Sequence, residues 1–129
     1  MLTEHMGTFR VDVEVENPQA PGPRRIVHAA MIDTGAELSW VSAEILDSLG
    51  IQRRHRKRFR QVSGSVLERW TGTARVYVAG TDTADDVVFA EPGDLIVLGS
   101  RSLEGLNLTI DPVHKRLVDA GPAPAAAAA

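Results

Sequence analysis

The sequence predicts an all-β domain, a small closed sheet or barrel with one or two short helices. The first observation is an alternation of apolar and polar residues, typical of half-buried strands, which is clearest over residues 8–15. The second is that clusters of Gly, Pro, Asn and Asp, which mark turns, separate the apolar segments. The third is that only residues 43–49 and 100–104 have a helix-like pattern, and both stretches are short.

The first half of the chain begins with a strand predicted over residues 7–15, which a proline-rich turn at residues 17–23 ends. A proline-rich stretch fits neither a sheet ladder nor a helix. Residues 25–32 are almost continuously apolar, so we expect a strand that is buried on both faces. Polar residues 33–36 then interrupt the chain before the apolar pattern resumes at Leu38.

A short helix and an exposed hairpin arm follow. Ser42 is a typical N-cap for a helix over residues 43–49, and Gly50 is a typical stop. Residues 53–61 are polar on both faces, so they cannot form a core strand. Residues 63–65, Ser-Gly-Ser, have the composition of a hairpin turn.

The second half of the chain alternates strands with turns. An acidic, turn-rich connection is predicted at residues 80–86, and a turn at residues 91–93. A second short helix, residues 100–104, is predicted to stop at Gly105. The remaining predicted strands are residues 66–79, 87–89, 95–98, 106–110 and 115–118.

The length and composition indicate one domain. A chain of 129 residues with 43% hydrophobic residues buries roughly two thirds of its unfolded surface. We expect this domain to span residues 1–119. Residues 120–129, rich in Ala and Pro, have no pattern that a core could use, so we expect a disordered tail.

The absence of cysteine excludes disulfides, zinc ribbons, iron–sulfur clusters and thiol nucleophiles. No apolar run approaches the ~20 residues that a membrane helix needs, and the N-terminus has no apolar signal segment. We therefore expect a cytoplasmic protein with no membrane partner.

A basic segment, residues 53–60, stands out from the rest of the chain. The net charge is -3, and without this segment's six cations the remainder would carry -9. Three interpretations stay open: a solvated arm whose charges prevent aggregation, a site for acidic peptide substrates, and a nucleic-acid site. The acidic remainder argues against nucleic acid as a partner. The six cations are Arg53, Arg54, Arg56, Lys57, Arg58 and Arg60.

Most common site signatures are absent from the sequence. The four histidines have neither the spacing nor the acidic companions of a metal site. The chain has no nucleophile elbow, no phosphate-binding loop and no dinucleotide fingerprint. We therefore expect no metal and no cofactor.

The tetrapeptide Asp33-Thr34-Gly35-Ala36 is the strongest candidate for chemistry. A carboxylate at the end of an apolar strand is costly to desolvate, so it persists there only where it is hydrogen-bonded or functional. Gly35 permits a close backbone approach, so that its amide can donate to the carboxylate. An ordinary turn, in which Asp33 caps its own backbone, is the alternative.

The context of this tetrapeptide resembles the retropepsin-like aspartic proteases. The matching features, in order, are an apolar pair before Asp-Thr-Gly-Ala, then Ser39-Trp40-Val41 and a helix, a glycine-tipped hairpin, and Val97-Leu98-Gly99 entering a short helix. The resemblance covers residues 7–118. It implies a small closed β-barrel that assembles as a homodimer.

The resemblance implies a role for each matching residue. Asp33 is the catalytic acid, Thr34 grips the opposing loop, and Gly35 is the backbone contact beside the carboxylates. Ala36 lines the substrate cleft, and the hairpin tip occupies the position of the family's flap. The implied substrate-binding residues are Ala36, Ser63, Gly64, Ser65, Val97 and Leu98.

The implied activity is hydrolysis of peptide bonds by an activated water. This chemistry needs two carboxylates that share one proton, and only one Asp-Thr-Gly is present, because Asp82-Thr83-Ala84 lacks the glycine. The functional unit is therefore a homodimer in which each chain supplies Asp33. We expect residues 7–13 and 115–118 to build the interface and peptides or proteins, acidic ones among them, to be the substrates.

The sequence departs from the family pattern in three places. Ser100 stands where retroviral members have an arginine, which leaves a shifted Glu37–Arg101 pair as an open alternative. Trp40 is either core or a wall of the cleft, with core favoured. The flap tip has no aromatic residue. A non-catalytic, dimeric interaction module with the same fold is therefore the alternative function.

Overall fold

The computed structural model describes residues 9–127, which form nine strands and two short helices. Strands hold 50% of the described residues and helices 11%, so the predicted all-β class is confirmed. The elements are β1 (Arg10–Glu16), β2 (Arg24–Ile32), β3 (Ser39–Ser42), α1 (Ala43–Ser48), β4 (His55–Arg60), β5 (Val66–Val78), β6 (Thr81–Ala90), β7 (Val97–Leu98), α2 (Ser100–Leu106), β8 (Leu108–Asp111) and β9 (Arg116–Asp119).

Seven strands make one sheet in the order β1-β2-β7-β3-β6-β5-β4, and β8 and β9 pair separately. β1 also pairs with β5 over residues 14–16, so the sheet curves until its first strand meets its sixth. β7 lies between β2, to which it is parallel, and β3, to which it is antiparallel. The chain segments that follow β2 and β7 are therefore neighbours.

The core fills the concave side of this curved sheet. Valines and other branched residues dominate it because their side chains pack well on a pleated surface. Both helices contribute to it, α1 through Leu46 and α2 through Leu103 and Leu106. The fully buried large side chains include Phe89, Leu46, Leu98, Val15, Val76, Val87 and Val88.

The prediction that the second strand is buried on both faces was wrong. In β2, Val27, Ala30 and Ile32 are buried, whereas Ile26 is 47% exposed. The register with β1 shifts between Val11 and Val13, and Ala29 has a positive φ of 55°. At this bulge the buried positions change from odd-numbered (Val27) to even-numbered (Ala30 and Ile32). The sequence therefore reads as a continuous apolar run although each half of the strand buries only one face.

The predicted acidic connection at residues 80–86 was also wrong. Ala79 and Gly80 alone make the turn, with φ values of 53° and 80°, as a two-residue hairpin with a primed turn requires. β6 begins at Thr81. The acidic residues are tolerated in the strand because neighbouring side chains bind them, as Arg75 binds Asp82 at 2.7 Å.

The second helix extends past its predicted stop. α2 runs through Gly105 to Leu106, and Asn107 ends it in the left-handed conformation with φ 56°. Gly105 serves packing instead, because a Cβ there would lie 2.3 Å from Oγ1 of Thr83. The predicted strand at residues 106–110 accordingly begins only at Leu108.

The last apolar strand was predicted too long, because β7 holds only Val97 and Leu98 and Leu95 is 65% exposed. The predicted polar arm, its turn, and the first helix are confirmed, although the Ser42 side chain makes no capping bond.

Gly7 and Thr8 of the first predicted strand lie outside the described residues. Residues 120–127 form no helix or strand. Within residues 9–127, neither helix has the length or apolar character to cross a membrane.

Candidate active site

The Asp33 loop occupies the gap between β2 and β3, beside the end of β7. The amide of Asp33 donates to the carbonyl of Leu98 at 3.0 Å, which extends the β2–β7 pairing by one residue. The amide of Gly35 donates to Oδ1 of Asp33 at 2.9 Å, and the amide of Ala36 donates to the Asp33 carbonyl at 3.2 Å. The carboxylate is thus held by its own loop and is only partly buried.

The chain after β7 packs tightly beneath this loop. The amides of Ser100 and Arg101 donate to the carbonyls of Ala36 and Glu37, at 2.8 and 3.0 Å. A Cβ at Gly99 would lie 2.6 Å from the Leu38 carbonyl oxygen, so only glycine fits there. Val97-Leu98-Gly99 and the start of α2 therefore fix the position of the Asp33 loop.

A buried polar network joins the two segments from inside. The Gly99 amide donates to the Ser39 hydroxyl at 2.9 Å, and the hydroxyls of Ser39 and Ser102 lie 2.7 Å apart. Ser102 donates to the Asp85 carboxylate at 3.2 Å, and Arg101 binds the same carboxylate at 3.0 Å. The network ties α2 to both β3 and β6.

The Glu37–Arg101 side-chain pair does not form. Arg101 binds Asp85, and Glu37 lies 3.9 Å from Nζ of Lys57. The backbone amide of Arg101 bonds to the Glu37 carbonyl, whereas the Arg101 side chain extends to Asp85 on β6.

A cavity of about 660 Å³ opens above Asp33. Its floor includes Gly35 and Ala36, and the β4–β5 hairpin overhangs it. We call this hairpin, residues 55–70, the arm. The apolar walls of the cavity are supplied by Leu38, Trp40, Phe59, Val62, Leu67, Leu95 and Val97.

An aromatic contact and an ion pair join the arm to the Asp33 side of the cleft. The rings of Trp40 and Phe59 meet edge to face, with centroids 5.0 Å apart and planes at 61°. The second contact is the ion pair between Lys57 and Glu37, whose side chains are 46% and 65% exposed. Trp40 is therefore a half-buried wall of the cleft that also packs toward the core.

A bidentate ion pair supports the base of the arm. Nε and Nη2 of Arg69 bind the two carboxylate oxygens of Asp94 at 2.7 and 2.9 Å, and both side chains are largely buried. These bonds from Arg69 hold the pKa of the Asp94 carboxyl below its usual value, and they raise the pKa of Arg69. The negative charge of the Asp94 carboxylate in the wall of the cleft is therefore neutralised by the positive charge of Arg69.

The structure brings together only part of the predicted site. Asp33, Gly35, Ala36 and Val97 line the same cavity. Leu98 is buried at 1% exposure and contributes its carbonyl, not its side chain. The predicted flap tip, Ser63, Gly64 and Ser65, does not line the cavity, because residues 61 and 62 reach it instead. The two tip serines hydrogen-bond to each other at 2.9 Å.

Thr34 points away from the Asp33 cavity. It lines a separate groove of about 230 Å³ with Leu103, Leu108 and Ile110, between α2 and β8. Thr34 itself is exposed. The loop thus presents its carboxylate on one side and its hydroxyl on another.

Several residues of the cleft were missed by sequence reasoning. Asp94 gave no signal, because an acid in a Glu-Pro-Gly-Asp turn is ordinary. Phe59 did give a signal, because it is the single apolar residue of the basic segment and lies on the face opposite Arg58 and Arg60.

Within residues 9–127, no group of His and acidic residues has the arrangement to hold a metal ion. No protein-family model matches the chain, and no curated protein matches it.

Proposed function

We propose that the protein is a retropepsin-like aspartic endopeptidase, active as a homodimer with one Asp33 from each chain. One observation carries the proposal. The Asp33 carboxylate lies at the floor of a cleft that could hold an extended peptide, and the Gly35 amide fixes its orientation. Asp94, the other acid in the wall, is neutralised by Arg69 and cannot serve as its partner within one chain.

The fold supports the same class. The β1–β5 pairing is what a small closed barrel would require, and β7 enters between β2 and β3 directly beneath the Asp33 loop. We therefore propose the closed retropepsin-like barrel as the architecture. The cytoplasm is the proposed location, on the cysteine-free composition alone.

The chemistry requires a second copy of Asp33. One carboxylate accepts a proton from water as the water oxygen bonds to the scissile carbonyl carbon, and the other carboxyl gives its proton to the carbonyl oxygen. The C–N bond then breaks as the amide nitrogen takes up a proton, which leaves an acid and an amine. Asp82 cannot replace the second carboxylate, because it lies exposed on β6 and binds Arg75.

The groove around Thr34 is the proposed dimer face. It is adjacent to the cleft, partly apolar, and it presents a hydroxyl at the position where two loops would meet. A second chain bound there would bring its Asp33 loop toward the first. This placement favours α2 and β8 over residues 7–13 as the centre of the interface.

The test is cleavage of a mixed peptide library by the full chain, with products separated by chromatography. We expect Asp33→Asn to abolish cleavage and Asp82→Asn, the matched control in the second Asp-Thr sequence, to retain it. Equal cleavage by the Asp33→Asn protein would refute the proposal.

A non-catalytic interaction module with the same fold is the second candidate. The observation that favours it is the hairpin tip, whose three residues lie outside the cavity lining and include no aromatic ring. In that case the wild-type protein binds peptides in the cleft without cleaving them, and Asp33→Asn leaves binding unchanged.

A further inference from the structure

We propose that the free edge of β4 binds an acidic segment of another protein, which joins the sheet as an antiparallel strand beside Arg56, Arg58 and Arg60. These arginines lie on the face of the arm that points away from the cleft, so such a partner is separate from any substrate of the proposed peptidase. Two features of β4 support the proposal, an unpaired backbone edge and a row of arginines.

The backbone of β4 is paired on one side. Among residues 9–127, β5 is the single strand that pairs with β4, which therefore ends the seven-stranded sheet. The amide of Gln61 donates to the Ser65 carbonyl at 2.8 Å where the hairpin closes. Because the direction of hydrogen bonding alternates along an antiparallel strand, the odd-numbered residues of β4 face β5, and Arg56, Arg58 and Arg60 present their amides and carbonyls outward. An edge of this kind can pair with another chain.

The same three residues carry a row of positive charge. Their side chains share one face of the arm, opposite the face from which Lys57 and Phe59 contact the cleft. All three arginines are exposed. The β5 residues that pair with them include one carboxylate, Glu68, which binds Arg56 at 3.2 Å. This face of the arm therefore has an excess of positive charge.

An added antiparallel strand would place every second side chain beside this row. Residues opposite each other in a hydrogen-bonded antiparallel pair have Cα atoms about 5.5 Å apart and side chains on the same face. Acidic residues at three alternate positions would therefore face Arg56, Arg58 and Arg60. An arginine fork binds a carboxylate with two parallel hydrogen bonds. The partner is thus an extended segment in which acidic residues alternate with uncharged ones.

Charge and hydrogen bonding argue against a second copy of this chain and against nucleic acid. Antiparallel pairing of two β4 strands would set arginine opposite arginine, which is destabilising. A nucleic-acid backbone has no N–H group to donate to the outward carbonyls of β4. Without the basic segment the chain carries a net charge of -9, so it would repel a polyanion that extends beyond the arm.

The first experiment tests strand pairing. The full-length Asp33→Asn protein, which would not consume the ligand, is titrated calorimetrically with the peptide Thr-Glu-Thr-Glu-Thr-Glu-Thr. Two forms of the peptide are compared with it, one N-methylated at the central Glu and the other at the Thr that precedes it. In the proposed pairing the Glu amides face β4 and the Thr amides face solvent, so the first form should bind about tenfold more weakly and the second about as well as the parent.

Three results would contradict strand pairing. They are equal affinity of the two methylated forms, the reverse order, and no binding of the parent peptide at low salt. Addition of about 0.5 M salt should weaken the parent peptide, because salt screens exposed charges. An affinity that salt leaves unchanged would exclude the arginine row as the cause of binding.

Protein variants locate the site. Arg58→Gln should bind the parent peptide about fivefold more weakly, which corresponds to one exposed ion pair of about 1 kcal/mol. Lys57→Gln, the neighbour on the opposite face, and Arg54→Gln, which precedes β4 and lines a separate pocket with Gly50 and Thr73, are the matched controls and should bind like the starting protein. An equal loss in all three variants would indicate general attraction to the basic segment and overturns the inference.

Two further measurements test other occupants of the edge. A seven-nucleotide oligothymidylate that binds more tightly than the peptide, and is weakened equally by Arg58→Gln and Arg54→Gln, overturns the inference in favour of nucleic acid. Sedimentation with and without the peptide tests a second copy of the chain. We expect the peptide to leave the oligomeric state unchanged, and a dimer that the peptide dissociates would assign the edge to contacts between copies instead.

Discussion

The hydroxyls of Ser39 and Ser102 lie 2.7 Å apart in the core, where both residues are almost completely buried. Because Ser39 accepts from the Gly99 amide and Ser102 donates to Asp85, the Ser39 hydroxyl must donate to Ser102. Donation thus runs in one direction, from the backbone beneath the Asp33 loop to a carboxylate on β6. Both hydroxyl protons of this network, those of Ser39 and Ser102, have an acceptor.

The first prediction concerns the stability of this network. Ser102→Ala should lower the free energy of unfolding by about 1–3 kcal/mol, because it leaves the Ser39 hydroxyl without its acceptor in the core. Ser63→Ala at the exposed hairpin tip is the control and should stay within about 0.5 kcal/mol of the wild type. Urea denaturation followed by circular dichroism measures both. If the two variants are equally stable, the network has no net effect on stability.

The second prediction concerns the pH dependence of cleavage. Two carboxylates held close together cannot both ionise easily, so the pair retains one proton up to a higher pH than an isolated aspartate does. Peptidase activity should therefore be greatest at acidic to mildly acidic pH and should fall as the shared proton is lost. The rate of peptide cleavage between pH 3 and pH 8 tests this. A rate that rises through neutral pH, or complete inhibition by a metal chelator, contradicts it.

The third prediction is that activity needs two chains. Specific activity should fall on dilution below the dimer dissociation constant, and sedimentation should show monomers over the same range. When subunits exchange freely, an equal amount of the Asp33→Asn protein should reduce the wild type to about half of its activity, because about half of its chains enter inactive mixed dimers. Undiminished activity after demonstrated exchange rules out a shared site.

A fourth prediction follows from the exposed hydroxyl of Thr34. Thr34→Ala should weaken dimerisation by about 1 kcal/mol for each hydrogen bond lost across the symmetry axis. Thr109→Ala, in the same groove, is the matched control and should have a smaller effect. The dissociation constants come from sedimentation at several protein concentrations, and equal constants for the two variants would exclude a specific role for Thr34.

A fifth prediction links Asp94 to stability in acid. Its pKa is lowered mainly by hydrogen bonds from Arg69, so its stabilising contribution is present above the unfolded-state pKa of about 3.9 and is lost as the pH falls through the lower folded-state value. Asp94→Asn should therefore be less stable than the wild type at pH 5 to 7, and the difference should shrink towards pH 2. Asp86→Asn is the control, because this exposed carboxylate on β6 accepts a hydrogen bond from the Thr73 hydroxyl and not from an arginine. The urea midpoints of the wild type and of both variants, measured at several pH values, test this prediction.

Local features of the chain were predictable from sequence. Gly99 and the Asp33 loop each follow a short apolar strand, and glycine is part of both. Their residues and immediate neighbours were therefore enough to predict where they lie in the fold. The errors arose where a distant contact determines the structure. Gly105 has the sequence of a helix stop, but the helix continues through it to Leu106, and glycine is required there because Thr83, from another strand, leaves no room for a side chain.

The candidate site was predictable to the same extent. Asp33, Gly35 and Ala36 belong to one tetrapeptide, and the structure keeps them at one cavity. The wall opposite them depends on how the arm folds over the cleft, and the contact between Phe59 and Trp40 joins residues far apart in sequence. No periodicity within the arm specifies that contact, so the tip was assigned to the cleft in place of residues 61 and 62.

The edge-on contact between Trp40 and Phe59 also provides an optical signal. The chain has 2 tryptophans, and the other, Trp70, lies on β5 near Arg56. In a Trp70→Phe protein, the emission of Trp40 would report on the cleft alone. Lifting of the arm would expose its indole to water and shift the emission to longer wavelength, so the opening of the arm could be timed independently of bond cleavage.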